Sequence, residues 1–294
     1  MPTTLIEPAE LASCLERPDW AGPYWAVVDC RFELTRPEWG AAAYAESHIP
    51  GAAYAHLDRD LSGPVEAHSG RHPLPSLEKL GETLGRLGID RRTQVVAYDQ
   101  GSGAYAARLW WLLRWAGHRE VAVLDGGFAA WQRAALAISS DPTTRPASQF
   151  KTDAPERTAA RQSALVTTAE LARMVADGAP PVIVDARGAD RFAGQNETID
   201  PVAGHVPGAR NHPFAGNLDA QGRFLAPAEL RRRWLQTLGA TPPQSVVSMC
   251  GSGVTACHNL LAMVVAGLGD GRLYAGSWSE WIRDPARPVA RGPH

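Results

Sequence analysis

The residues with the clearest capacity for covalent chemistry lie in VVSMCGSGVTACHNLLAM, 246–263 of a 294-residue chain. A short valine-rich run ends at Cys250, a Gly-Ser-Gly turn follows, and a helical pattern opens near Val254. Gly251 and Gly253 permit backbone conformations that larger residues resist, so successive N–H groups can converge into an anion-binding nest. The N-terminus of the following helix adds partial positive charge at the same place. A cysteine in that setting is favoured as a nucleophilic thiolate, and the nest tolerates a second anionic atom beside its sulfur. Cys14, Cys30 and Cys257 lack that context. They fall in an amphipathic helix, a buried-type strand and one turn into a helix, and read as packing residues.

A reactive turn needs elements that hold it, and in open α/β sheets ligands bind beyond the carboxyl ends of strands, where this turn falls. WAVVDC, QVVAYD, VAVLDG, PVIVDA and SVVSMC are short apolar runs whose length and valine content fit strands buried on both faces. Amphipathic stretches alternate with them. Thr167-x-x-Glu170 forms a capping-box pattern opening TAELARMVAD, and Gly178 sits where a terminating glycine belongs. Helical patterns from Ala104 and from Val254 stop at Gly117 and Gly267. The alternation predicts an α/β protein with one parallel sheet per domain and helices on both faces.

The pattern occurs twice. VVDCR at 27–31 returns as IVDAR at 183–187, SHIPGA at 47–52 as GHVPGA at 204–209, and GGFAAW at 126–131 as GSWSEW at 276–281. VVAYDQGSG at 95–103 likewise returns as VVSMCGSG at 246–253, which sets Asp99 opposite Cys250. Matches in one order at a long offset indicate a duplicated domain. The expected division is a first domain over 5–138, a polar, proline-bearing linker over 139–163 and a second domain over 164–290. The first half keeps the loop without its nucleophile and is expected to be inactive. Paired His48 and His205, and paired Asp29 and Asp185, read as residues that fix structure, and the ten tryptophans as packing.

Composition narrows the class further. Twenty-nine basic residues against 31 acidic ones leave a formal charge of −2, with no basic stripe of the kind nucleic-acid binding demands. No run approaches a membrane span and the N-terminus shows no secretory pattern, so the expectation is a cytoplasmic protein without a membrane partner. Cys257-His258 alone is too little for zinc, and neither a metal nor an organic cofactor is expected.

CGSGVTA at 250–256, together with DCRFEL, DARGADRF, HIPGA, HVPGA, LDGGFAAW and GSWSEW, resembles the tandem-domain sulfurtransferases related to rhodanese, most nearly the mercaptopyruvate type. The resemblance spans nearly the whole chain and implies an inactive N-terminal and a catalytic C-terminal rhodanese-like domain. It implies that Cys250 takes up sulfur as a persulfide, that the backbone N–H groups of Gly251, Ser252, Gly253, Val254 and Thr255 cradle the sulfur anion, and that Arg191 holds an anionic donor. It also implies that Ser252 aligns with His72 and Asp60 across a domain cleft. The implied partners are a small anionic sulfur donor and a thiol acceptor, such as a small thiol or a thioredoxin-like protein, with cyanide as a further acceptor.

Two features bear on the donor. The loop is small and polar, where the thiosulfate type carries charged side chains directly after the cysteine; this favours 3-mercaptopyruvate. No arginine stands between Arg191 and Arg210, where the mercaptopyruvate type carries a second one, and this keeps thiosulfate open. Two other classes compete with this one. A phosphatase of the same fold would need an arginine six residues after the cysteine, where this chain has Ala256. A non-catalytic sulfur carrier or interaction module is the remaining alternative, which the retained cysteine disfavours.

Overall fold

The valine-rich runs form two separate parallel sheets in the computed structural model, which describes residues 2–17, 24–152, 158–178 and 181–293. The first sheet contains β1 (Leu5–Ile6), β2 (Trp25–Asp29), β3 (Ala53–Tyr54), β4 (Gln94–Tyr98) and β5 (Val121–Leu124), in the order β1-β5-β4-β2-β3. The second contains β6 (Ile183–Asp185), β7 (Arg210–Asn211), β8 (Val247–Met249) and β9 (Arg272–Leu273), in the order β7-β6-β8-β9. Every strand pair is parallel, and in each sheet the strand that precedes the glycine-rich loop is internal. This is the α/β arrangement expected.

Each sheet has its own apolar core. Val27, Val96, Leu124, Phe128 and Trp131 are buried together in the first, and Ile183, Phe192, Val247, Trp278 and Trp281 in the second. Trp131, Trp278 and Trp281 are buried packing residues whose indole N–H groups find carbonyl partners, on Ala137, Val202 and Pro288. His48 and His205 bond the carbonyls of Tyr44 and Phe192 through Nδ1 at 2.7 and 2.8 Å, a structural role in both repeats. Thr167 and Glu170 form the reciprocal capping box of the helix Thr168–Ala176.

The chain divides into two units whose make-up does not follow the sequence halves. The first comprises Met1–Gly63, Pro75–Arg157 and Asp219–Phe224; the second comprises Pro64–Leu74, Thr158–Leu218 and Leu225–His294. The expected first domain, 5–138, therefore loses Pro64–Leu74 to the second unit. The reason is polar pairing: the Arg71 backbone N–H donates to Ser279 Oγ at 3.0 Å and the Arg71 guanidinium pairs with Asp200 at 2.7 Å. The expected linker over 139–163 is also partly built in. Ser148 N–H donates to the Gly85 carbonyl at 2.9 Å and Phe150 is buried, so this stretch runs along the helix Leu77–Arg86. That approach needs glycine, since a Cβ on Gly85 would stand 2.5 Å from the Ser148 carbonyl oxygen. Residues 158–163 are helical, and 153–157 lie outside the described residues.

Candidate active site

β8 delivers Cys250 to its carboxyl end, and the turn 251–254 leads into the helix Thr255–Val265, of which Thr255 is the first residue and Val254 the N-cap. Neighbouring chain fixes the turn from behind. Cys250 N–H donates to Ser277 Oγ at 3.0 Å, while the Cys250 and Gly251 carbonyls accept the N–H groups of Trp278 and Ser279, each at 2.9 Å. Gly253 has φ +79°, and a side chain there would collide with the Ala275 carbonyl. This turn needs glycine at 253 to hold its shape.

Within that turn the backbone points at sulfur. The N–H groups of Gly253 and Ser252 donate to Cys250 Sγ at 3.1 and 3.4 Å. Cys250 is 2% exposed, so water competes little for these bonds. Beside it, His72 Nδ1 lies 2.7 Å from Ser252 Oγ, with both residues buried. The structure thus brings His72 to the cysteine loop. Asp60 belongs to the first unit, where its carboxylate accepts the His56 backbone N–H at 2.8 Å and pairs with Arg86.

Arg191 stands at the loop, and a second arginine that sequence reasoning did not select stands with it. A Cβ added to Gly251 would lie 3.2 Å from Arg71 Nη2 and 3.7 Å from Arg191 Nη2. Arg71 thus supplies a second guanidinium although no arginine follows Arg191 before Arg210. The pair is held by Asp200, whose two oxygens accept Arg71 Nη1 at 2.7 Å and Arg191 Nη2 at 3.0 Å. Glu197 takes Arg191 from another side, through Nε at 3.1 Å and Nη2 at 2.9 Å. Burial opposes the Glu197 charge, yet Arg191 and the backbone N–H groups of Asp200 and Ile199 outweigh it and hold this carboxyl below its usual range.

Arg187 was also missed, though DCR and DAR recur at matching places in the two repeats. It is buried, forks onto Asp185 at 2.7 and 3.0 Å, and stacks its guanidinium 4.8 Å from the Trp278 ring centroid. Burial works against its charge, but the carboxylates of Asp185 and Glu197 outweigh that and raise its pKa. Arg31 and Asp29 repeat the fork in the first unit. Asp29 and Asp185 therefore fix the segments after β2 and β6, as their pairing suggested.

The first unit shows how the same turn treats an anion. The Asp99 carboxylate, fully buried, accepts N–H groups from Gly101 and Gly103 at 2.9 Å on one oxygen, and from Tyr105 and Ala106 at 2.8 and 3.4 Å on the other. The turn is an anion nest already filled by the chain's own side chain. Cys30, also in that unit, is an inert thiol: burial and then the nearby carboxylates push its pKa well up. Among the described residues no set of three His, Cys, Asp or Glu side chains is gathered as metal ligands, and no helix is long and apolar enough to cross a membrane.

Comparison with known proteins agrees with this architecture. The rhodanese-like domain family model matches residues 7–134 and again 167–284. The "Probable 3-mercaptopyruvate sulfurtransferase" of Pseudomonas aeruginosa is 48% identical over 293 residues, covering 98% of each chain. The thiosulfate sulfurtransferase of Rattus norvegicus is 34% identical over 280 residues, covering 92% of this chain and 90% of its own. The solved structure of a 3-mercaptopyruvate sulfurtransferase from Leishmania major superposes with a TM-score of 0.80 at 33% identity, over 95% of this chain and 74% of that one. With two matched domains and full-length relatives that are named as sulfurtransferases, the chain belongs to the rhodanese-like family and is a tandem-domain sulfurtransferase.

Proposed function

We propose that the chain moves sulfane sulfur from 3-mercaptopyruvate, through a persulfide on Cys250, to a thiol or cyanide acceptor. The observation that carries this reading is the convergence of the Gly253 and Ser252 N–H groups on Cys250 Sγ. The Asp99 nest supports the extension to a second atom. One carboxylate oxygen takes the early N–H groups of the turn and the other takes those at the start of the helix. By analogy Sγ uses the early donors, and the outer sulfur of a persulfide is received at Thr255.

In the forward half-reaction the Cys250 thiolate attacks the donor sulfur as the donor's carbon–sulfur bond breaks. The electron pair of that bond leaves with carbon as the enolate of pyruvate, which takes up a proton to give pyruvate. Ser252 is suited to donate a hydrogen bond to the enolate oxygen, with His72 orienting the hydroxyl and moving its proton. Arg191 and Arg71 would hold the donor carboxylate. An acceptor thiolate then attacks the outer sulfur, forms a new S–S bond and releases Cys250 as thiolate. No metal or organic cofactor enters these steps. A small thiol or a thioredoxin-like protein in the cytoplasm is the acceptor this reading expects.

The test is a side-by-side measurement of kcat/KM for 3-mercaptopyruvate and thiosulfate with cyanide as acceptor. A higher value for 3-mercaptopyruvate is expected. A clearly higher value for thiosulfate would overturn the donor and leave the sulfurtransferase assignment standing; no turnover with either would overturn the whole reading.

A further inference from the structure

The mouth of the cysteine loop is built from two cations and two anions. Arg71 and Arg191 face Gly251, and Asp200 and Glu197, with side chains each 2% exposed, are bonded to them. Asp200 occupies the bridging position, with one oxygen on each guanidinium. That is the placement the carboxylate of a small donor would adopt between the same two arginines. Arg71 Nε, by contrast, is buried without an acceptor among the described residues, so the pair keeps a donor that its internal carboxylates do not use.

We propose that Asp200 is a specificity-determining residue of this site: its carboxylate cancels part of the positive field of Arg71 and Arg191, and so favours a singly charged sulfur donor over a doubly charged one. The inference rests on the sulfurtransferase reading above. Its physical basis is that Coulomb energy scales with the donor's charge. Two uncompensated guanidiniums would reward a dianion such as thiosulfate about twice as strongly, in free energy, as a monoanion such as 3-mercaptopyruvate. With Asp200 and Glu197 ionised beside them, that excess reward is largely removed. The small, uncharged side chains of CGSGVTA restore none of it.

Replacing Asp200 by Asn keeps the shape of the side chain and removes its charge. At fixed low ionic strength, kcat/KM for 3-mercaptopyruvate should rise about threefold and for thiosulfate about tenfold, the second factor being the square of the first. Asp200→Glu keeps the charge and should hold the ratio between the two donors within about twofold of wild type. Circular dichroism and thermal melting identify any variant that fails to fold, and Asp200→Ser, which also removes the charge, then takes the place of the Asn variant with the same expected change in ratio. Equal fold-changes for both donors in Asp200→Asn would mean that Asp200 only props the arginines, and would overturn the proposal. So would a selectivity change in Asp200→Glu as large as that expected for Asn. Wild-type turnover of neither donor would instead remove the sulfurtransferase reading, and this inference with it.

Discussion

His72 Nδ1 and Ser252 Oγ are 2.7 Å apart across 180 residues of sequence. The segment that carries His72, Pro64–Leu74, lies in the first sequence repeat yet packs as part of the second unit. A buried hydroxyl–imidazole pair beside the Cys250 sulfur can deliver a proton or a hydrogen bond without drawing on bulk water.

If the pair acts as a unit, its loss is not additive. His72→Ala and Ser252→Ala should each lower kcat for 3-mercaptopyruvate, by about 10²-fold, and the double variant should lose little more than either alone. A double-mutant cycle on kcat checks this. Independent, multiplying effects would show that the bond has no joint role.

Arg71 and Arg191 should act together on the donor. Either Arg→Ala change should raise KM and lower kcat/KM for 3-mercaptopyruvate by about tenfold or more, the scale of a lost charged hydrogen bond. Steady-state kinetics at constant ionic strength checks it. Arg71→Lys should recover only part of the loss, since an ammonium cannot reproduce the forked contact. An Arg71→Ala variant with wild-type kcat/KM would remove Arg71 from the donor site.

Asp99 should be a stability residue. Asp99→Ala strips the acceptor from four N–H groups, of which those of Gly103 and Ala106 are buried, and should cost about 2–4 kcal/mol, read as a lowered denaturation midpoint. A midpoint equal to wild type would show that the filled nest contributes nothing to the first unit.

Much of this was legible in the residues. The duplicated motifs announced two sheets, β-branched runs marked the strands, and Cys-Gly-Ser-Gly before a helical pattern identified the nest. Thr167 and Glu170 gave the start of their helix because a cap is a local interaction. What escaped was set by pairing at long range. Arg71 meets Asp200 across 129 residues, and no period or spacing encodes that meeting. Arg71 could have been suspected only from its place beside His72. Asp200 and Glu197 lie in a polar stretch, where no apolar residues mark their burial. The expected linker looked polar for the same reason; Gly81 and Gly85, four residues apart on one helix face, were the available sign that a backbone would lie against it.

The central claim is that sulfur resides on Cys250, and peptide-resolved mass spectrometry after exposure to 3-mercaptopyruvate tests it most directly. The wild-type protein should gain one sulfur atom on the peptide bearing Cys250, lose it on addition of a thiol acceptor, and regain it with fresh donor. Cys250→Ser should gain none and transfer almost no sulfur while remaining folded, because a hydroxyl is far less ionised than a thiol. Cys257→Ser, which removes only a buried thiol bonded to the Gly253 carbonyl, should still gain its sulfur on Cys250. Added sulfur on Cys257, or equal loss of transfer in both variants, would contradict the assignment.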